Sequence, residues 1–315
     1  MNYQEFACAL EKEVNLRLTG GVQASLYTAV KNNGTRRTGI LIETPGINIS
    51  PTIYLDEYFA ASQAGRTIRE IAEELLEFYR SIRREESWDQ EKILSYEGVK
   101  DRVVFKLVNT AKNRNFLRKV PHLDFLDLSI VFYVLIEATD EGSAAMAVEN
   151  VHAQHWKVRT DQLWEDAVRN AKKLLPAEFF TMNYALKEAF GKSGFGSAGE
   201  SENLFLENQT EKDGLYVLSN RLRSYGAACI AYPHITEMIG QILRKDYYIL
   251  PSSVHEVVIV PYSRELSVEE MNEMVEEINV TQLAEEEVLS GHVYLYKRSS
   301  GKLGMADGSG LRSRE

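Results

Sequence analysis

The sequence predicts an α+β protein, with amphipathic helices packed on mixed, largely antiparallel sheets. Three observations carry that expectation. Apolar residues recur at helical spacing over 67–82, 160–175 and several other stretches. Short runs rich in Val, Ile, Phe and Tyr lie between them, joined by hairpin-length connections. No strand–helix alternation regular enough for a doubly wound parallel sheet is visible. The 315 residues are 44% apolar and 26% charged, enough for a sizeable core and unlike a collagenous, disulfide-scaffold or wholly disordered chain.

The first helix opens at Asn2, which caps it with Glu5 reaching back; Tyr3, Phe6, Ala7, Leu10 and Val14 share one face. Residues 22–31 and 38–43 read as strands around Asn32-Asn33-Gly34, whose residues tolerate the positive φ of a hairpin turn. Thr67 and Glu70 form a second capping box, followed by the stripe Ile68, Ile71, Ala72, Leu75, Tyr79 and Ile82. Residues 102–109, 128–138 and 144–150 read as strands, and 160–175 as a helix that Pro176 ends. Segments 53–82 and 146–175 share an order: a strand, a gap, an Arg-Thr pair, a helix. That is either a diverged duplication or the common consequence of packing amphipathic helices on a sheet. Further on, 215–219, 227–232 and 292–297 read as strands and 247–262 as a long extended stretch. Residues 235–245 and 267–278 read as helices, the second capped by Ser267 and Glu270.

Composition divides the chain into an N-terminal α+β region, 1–190, and a C-terminal α+β region, 212–298. Between them, 191–211 is a Gly/Ser-rich connector. Its Gly191-Lys-Ser-Gly194 run lacks Walker spacing and a preceding strand, so a phosphate cradle is not expected. Residues 299–315 are Gly/Ser-rich and charged, and a loose tail is expected there.

Lys and Arg number 36 against 46 Asp and Glu, a net charge of −10, which is poorly suited to coating nucleic acid or an anionic membrane. Cys8 and Cys229 lie far apart without metal-ligand spacing and read as reduced, buried thiols. The longest apolar run, 128–136, is about half of the roughly 20 residues a spanning helix needs. The N-terminus has no basic region followed by an apolar core, so a cytoplasmic location without a membrane span is expected.

Three groups of residues invite chemistry. In Leu250-Pro-Ser-Ser-Val-His-Glu-Val257, Ser253 and His255 are two apart and would face the same side of a strand, the beginning of a nucleophile–base pair. Asn220, ending a strand in the same C-terminal region, is the candidate polar neighbour that would orient the imidazole. An oxyanion donor and a nucleophile elbow are not visible, and Ser hydroxyls after Pro commonly satisfy backbone groups. His152 and His155 have the spacing of two metal ligands on one helix face, yet they fall between a strand and a helix with no zincin Glu, which favours loop packing. Lys112, Arg114, Arg118 and Lys119 form the one concentrated basic patch, a nucleic-acid candidate whose single interleaved aromatic, Phe116, is thin support. No cofactor motif is present.

Several motifs together resemble an uncharacterised DUF-type family met mostly in clostridial bacteria. They are Leu107-Val-Asn109, Val120-Pro-His122, Asp127-Leu-Ser-Ile-Val-Phe132, Tyr216-Val-Leu-Ser-Asn220, Gly226-Ala-Ala228 and, most specifically, residues 250–257. The similarity runs to about Arg298. A second uncharacterised family, bacillar, is similar in its strand–strand–helix layout and a late Pro-Ser-Ser-like segment. The resemblance implies a cytoplasmic bacterial protein, sometimes carried on mobile elements, and supplies no activity. Expected, then, is a non-catalytic interaction or regulatory protein whose partner is another protein or a second copy. A hydrolase built on Ser253 and His255 is the alternative, and a nucleic-acid-binding protein the third reading.

Overall fold

Local capping and apolar spacing set the first elements, as seen in a computed structural model that describes residues 1–47, 50–83, 90–139, 142–191, 202–206, 214–263, 267–307 and 310–312. Helix α1 (Tyr3–Asn15) begins where the Asn2 side chain accepts the Glu5 N–H and the Glu5 carboxylate accepts the Asn2 N–H. Strands β1 (Gln23–Val30) and β2 (Arg36–Glu43) pair antiparallel from Gln23↔Glu43 to Val30↔Arg36. Asn33 at φ +60° and Gly34 at φ +76° turn the chain between them. Strand β3 (Thr52–Tyr54) joins the other edge of β2, followed by α2 (Asp56–Gln63) and α3 (Ile68–Ile82), the latter capped by Thr67 and Glu70. Phe6, Leu10 and Val14 of α1 and Ile71, Leu75 and Tyr79 of α3 meet Ile40, Ile42 and Ile53 of the sheet in one core. These elements belong to a compact unit spanning residues 1–91.

The second unit, residues 92–315, holds two sheets. Helix α4 (Gln90–Leu94) straddles the boundary, and α5 (Tyr96–Val99) leads into β4 (Val103–Asn109). After α6 (Arg114–Leu117), strands β5 (His122–Phe125), β6 (Leu128–Thr139) and β7 (Gly142–Ala147) complete the smaller sheet. The apolar run at 128–136 is the spine of that sheet: β6 pairs β4 along one edge, and β5 and β7 in succession along the other. Helices α7 (Asn150–Trp156) and α8 (Thr160–Leu174) follow; Asn170 of α8 donates to the carbonyls of Lys100 and Val103, anchoring the helix beside β4.

The larger sheet is wholly antiparallel. Its strands are β8 (Ala177–Thr181), β9 (Tyr216–Asn220), β10 (Tyr247–Leu250), β11 (Val257–Pro261), β12 (Tyr294–Lys297), β13 (Lys302–Asp307) and β14 (Gly310–Arg312), in the spatial order β14-β13-β12-β10-β11-β9-β8. Helix α9 (Met182–Gly191) follows β8, α10 (Ile235–Leu243) precedes β10, and α11 (Val268–Thr281) packs Met271 and Val275 against Tyr248, Leu250, Val260 and Leu295. The fold is α+β, as the sequence predicts.

Several expectations are corrected. The compact division falls after Glu91, not across 191–211, and the expected connector joins β8 to β9, adjacent strands of one sheet; its residues 192–201 and 207–211 lie outside the described residues. The expected loose tail instead supplies β13 and β14. Gly301 at φ +65° turns the chain so that Leu303 and Met305 pair with Tyr296 and Tyr294. Residues 227–232, expected as a strand, form a 3-10 turn over Gly226–Ala231, entered through Tyr225 at φ +53°. Cys8 is exposed on α1, whereas Cys229 is buried and its thiol is pushed up to about 12 by burial. Segments 52–82 and 142–174 do share the order strand, short helix, long helix.

Candidate binding cavity and the Ser253–His255 region

Residues 251–256 connect β10 to β11, and main-chain bonds fasten them to 287–290. Val254 N–H donates to Glu287 O at 2.9 Å, Leu289 N–H to Ser252 O at 2.8 Å and Ser290 N–H to Pro251 O at 2.9 Å. Ser253 is 3% exposed. Its Oγ accepts the His255 N–H at 3.0 Å and its hydroxyl bonds the Glu256 carboxylate. The His255 ring points elsewhere: Nδ1 accepts the Tyr225 N–H at 3.3 Å and Nε2 lies 3.8 Å from a Glu287 carboxylate oxygen. An accepting Nδ1 places the proton of the neutral ring on Nε2. Among the described residues, no hydrogen bond joins the Ser253 hydroxyl to the His255 ring.

Asn220 does come beside His255, because β9 and β11 pair with Val257 opposite Leu218. Its side chain, however, closes a local turn, donating to Ser224 O at 2.8 Å and accepting from the N–H groups of Leu222 and Ser224. Ser219 Oγ donates to His255 O at 2.8 Å, and Ala227 N–H to Val254 O at 3.3 Å. The motifs at 216–220, 226–228 and 250–257 therefore interlock main chain to main chain. The trio is one neighbourhood in space and three separate hydrogen-bonding duties.

A second Ser-x-His segment repeats the arrangement and went unmarked in the sequence, although its spacing matches the first. Ser290 Oγ accepts the His292 N–H at 3.0 Å and donates to Asp127 at 2.7 Å; Tyr294 donates to the other Asp127 oxygen at 2.5 Å. His292 Nδ1 stands 3.3 Å from the same carboxylate. Burial, with the Asp127 charge, holds the Tyr294 phenol well above its ordinary range. The serine proton goes to the carboxylate and not to the imidazole, so this cluster is a staple between the β5–β6 turn and the start of β12.

The remaining candidates have definite places. His152 and His155 lie on α7, not in a loop. His152 Nδ1 accepts the Glu149 N–H and its ring stacks on Trp156 with centroids 5.5 Å apart, while His155 is exposed. Among the described residues, no group of three His, Cys, Asp or Glu side chains is placed to hold a metal ion. Lys112, Arg114, Arg118 and Lys119 are all exposed around α6. Phe116 packs against Val108, Leu117, Val120 and Val131, which removes it as a stacking platform.

A feature with room for a ligand lies elsewhere. A cavity of about 750 Å³ opens beside β8, walled by Pro176, Ala177, Phe205, Tyr232, Ile235 and Met238. Lys172, Arg221, His234, Glu178 and Asn203 supply its polar groups. Asn203 serves twice: its Oδ1 also accepts the N–H of Phe179, while Leu204 N–H donates to Phe179 O at 2.7 Å. Glu202 accepts the Thr181 N–H, so a short stretch of chain covers the edge of β8.

Among the described residues no helix is long and apolar enough to cross a membrane. No curated protein and no solved structure matches the chain. A family described as a family of unknown function, DUF5688, matches residues 3–298.

Proposed function

The chain belongs to that family, DUF5688, and from this premise we propose that it is a non-catalytic binding protein of the bacterial cytoplasm, regulating its association with another protein or with a second copy of itself. The observation that supports this is the open, largely apolar cavity beside β8, of a size that takes small molecules. Asn203, Phe205 and Leu206 line it, and their neighbours Glu202 and Leu204 help cover the β8 edge, so an occupant touches the stretch that keeps the edge from pairing.

The hydrolase reading draws no support from the geometry. It requires Ser253 Oγ on a ring nitrogen of His255, but Nδ1 accepts the Tyr225 main-chain N–H, Nε2 faces Glu287, and Ser253 Oγ accepts the His255 main-chain N–H. Native mass spectrometry of the full chain recovered from its own cells is the test. The expected result is a stoichiometric ligand or partner that is lost with Met238→Asp. Bare monomer, together with turnover of generic ester, phosphate or peptide substrates that His255→Ala abolishes, overturns the proposal.

A further inference from the structure

Resting on the reading of the cavity as a binding site, we infer that its ligand is an amphipathic organic anion: an apolar body of small-molecule size carrying one carboxylate, phosphate or sulfonate group. The cavity volume of about 750 Å³ lies within the range of small-molecule sites, whose walls are mainly apolar with a few polar groups that fix orientation. Here the polar groups have one dominant sign. Lys172 arrives from the last turn of α8, Arg221 from just beyond β9 and His234 from the start of α10.

Two cationic side chains, Lys172 and Arg221, and the His234 imidazole, from three elements, thus line one largely apolar opening in a protein whose net charge is −10. Among the described residues, the side chains of Lys172 and Arg221 have no hydrogen-bond or ion-pair partner. The one acid on the wall, Glu178, is buried and already neutralised by Arg223 at 2.7 Å. Exposed Arg66, by contrast, pairs with Glu74. His234, whose Nδ1 is 3.6 Å from Glu237, also holds a left-handed backbone at φ +70°, a conformation uncommon outside glycine. An anion at the mouth completes this charge arrangement, and an apolar body fills the space behind it.

Two fluorescent probes with one body separate the contributions: 8-anilinonaphthalene-1-sulfonate and its uncharged counterpart, N-phenyl-1-naphthylamine. Titrated into the full chain at low salt, the sulfonate is expected to bind about tenfold more tightly, a preference that shrinks as salt screens it. Lys172→Ala with Arg221→Ala should erase the preference and leave the neutral probe unchanged, while Lys172→Arg with Arg221→Lys should keep it. Met238→Asp should weaken both probes. Equal affinity for the two probes, or a preference that survives the double alanine change, overturns the anion inference and leaves the binding role standing. If neither probe binds, or Met238→Asp alters neither, the reading of the cavity as a binding site fails instead.

Discussion

Gly226 shows how tightly the 216–220, 226–228 and 250–257 motifs are fitted. A Cβ at that position would stand 2.2 Å from Ser219 Oγ, 2.5 Å from Asn220 N and 2.6 Å from His255 O. Two of these atoms are main chain and cannot swing aside, so Gly226→Ala should cost about 1–3 kcal/mol, read as a lower urea midpoint with an unchanged slope. Glu256 offers a test by pH. Burial pushes its carboxyl above the ordinary range; His255, Arg223 and the Ser253 hydroxyl pull back, and Glu287 adds to the rise. A carboxyl raised in the folded state binds its proton more tightly there than in the unfolded chain. Its contribution is therefore most favourable at low pH and falls as pH climbs from the ordinary carboxylate value through the raised one. Glu256→Gln should be more stable than wild type at neutral pH, with the gain vanishing below the ordinary carboxylate range. A gain independent of pH would contradict that origin.

Two sheet edges, those of β1 and β8, are met in the same way, by a side-chain amide acting as a strand would. Asn15 at the end of α1 donates to Ala24 O at 2.8 Å and accepts the Ala24 N–H at 2.9 Å, closing the edge of β1. Asn203 does the same for β8 through Phe179 N–H at 3.3 Å. Such covers stop exposed N–H and C=O groups from templating another chain. Removing one, as in Asn203→Ala, leaves the N–H of fully buried Phe179 without a partner, at a cost of about 1–3 kcal/mol. Sedimentation velocity should then show concentration-dependent self-association beyond that of wild type. A variant that stays as monodisperse as wild type would mean that the edge is protected by something other than this amide.

Residues 1–91 carry their own core, in which α1 and α3 cover one face of a three-stranded sheet. A chain of this length with such a core is expected to fold alone, and its urea transition, followed by circular dichroism, should be single and cooperative. A gradual, non-cooperative loss of signal would show that the unit depends on the rest of the chain. What the sequence determined is what lies within a few residues: the three capping boxes at Asn2, Thr67 and Ser267, the amphipathic stripes behind them, the turn at Asn33-Gly34 and the buried run that became β6. Those signals are local because a cap or a turn is satisfied by its own neighbours. The sequence also found the right neighbourhood in Ser253, His255 and Asn220, but not where their side chains point. That depended on Tyr225 and Glu287, thirty or more positions away. The Asp127–Tyr294 bond spans 167 residues, and the cavity draws on α8, β8, 203–206 and α10 at once. Only the tertiary structure could decide these, because a hydrogen bond or a wall between distant segments leaves no periodicity in either one.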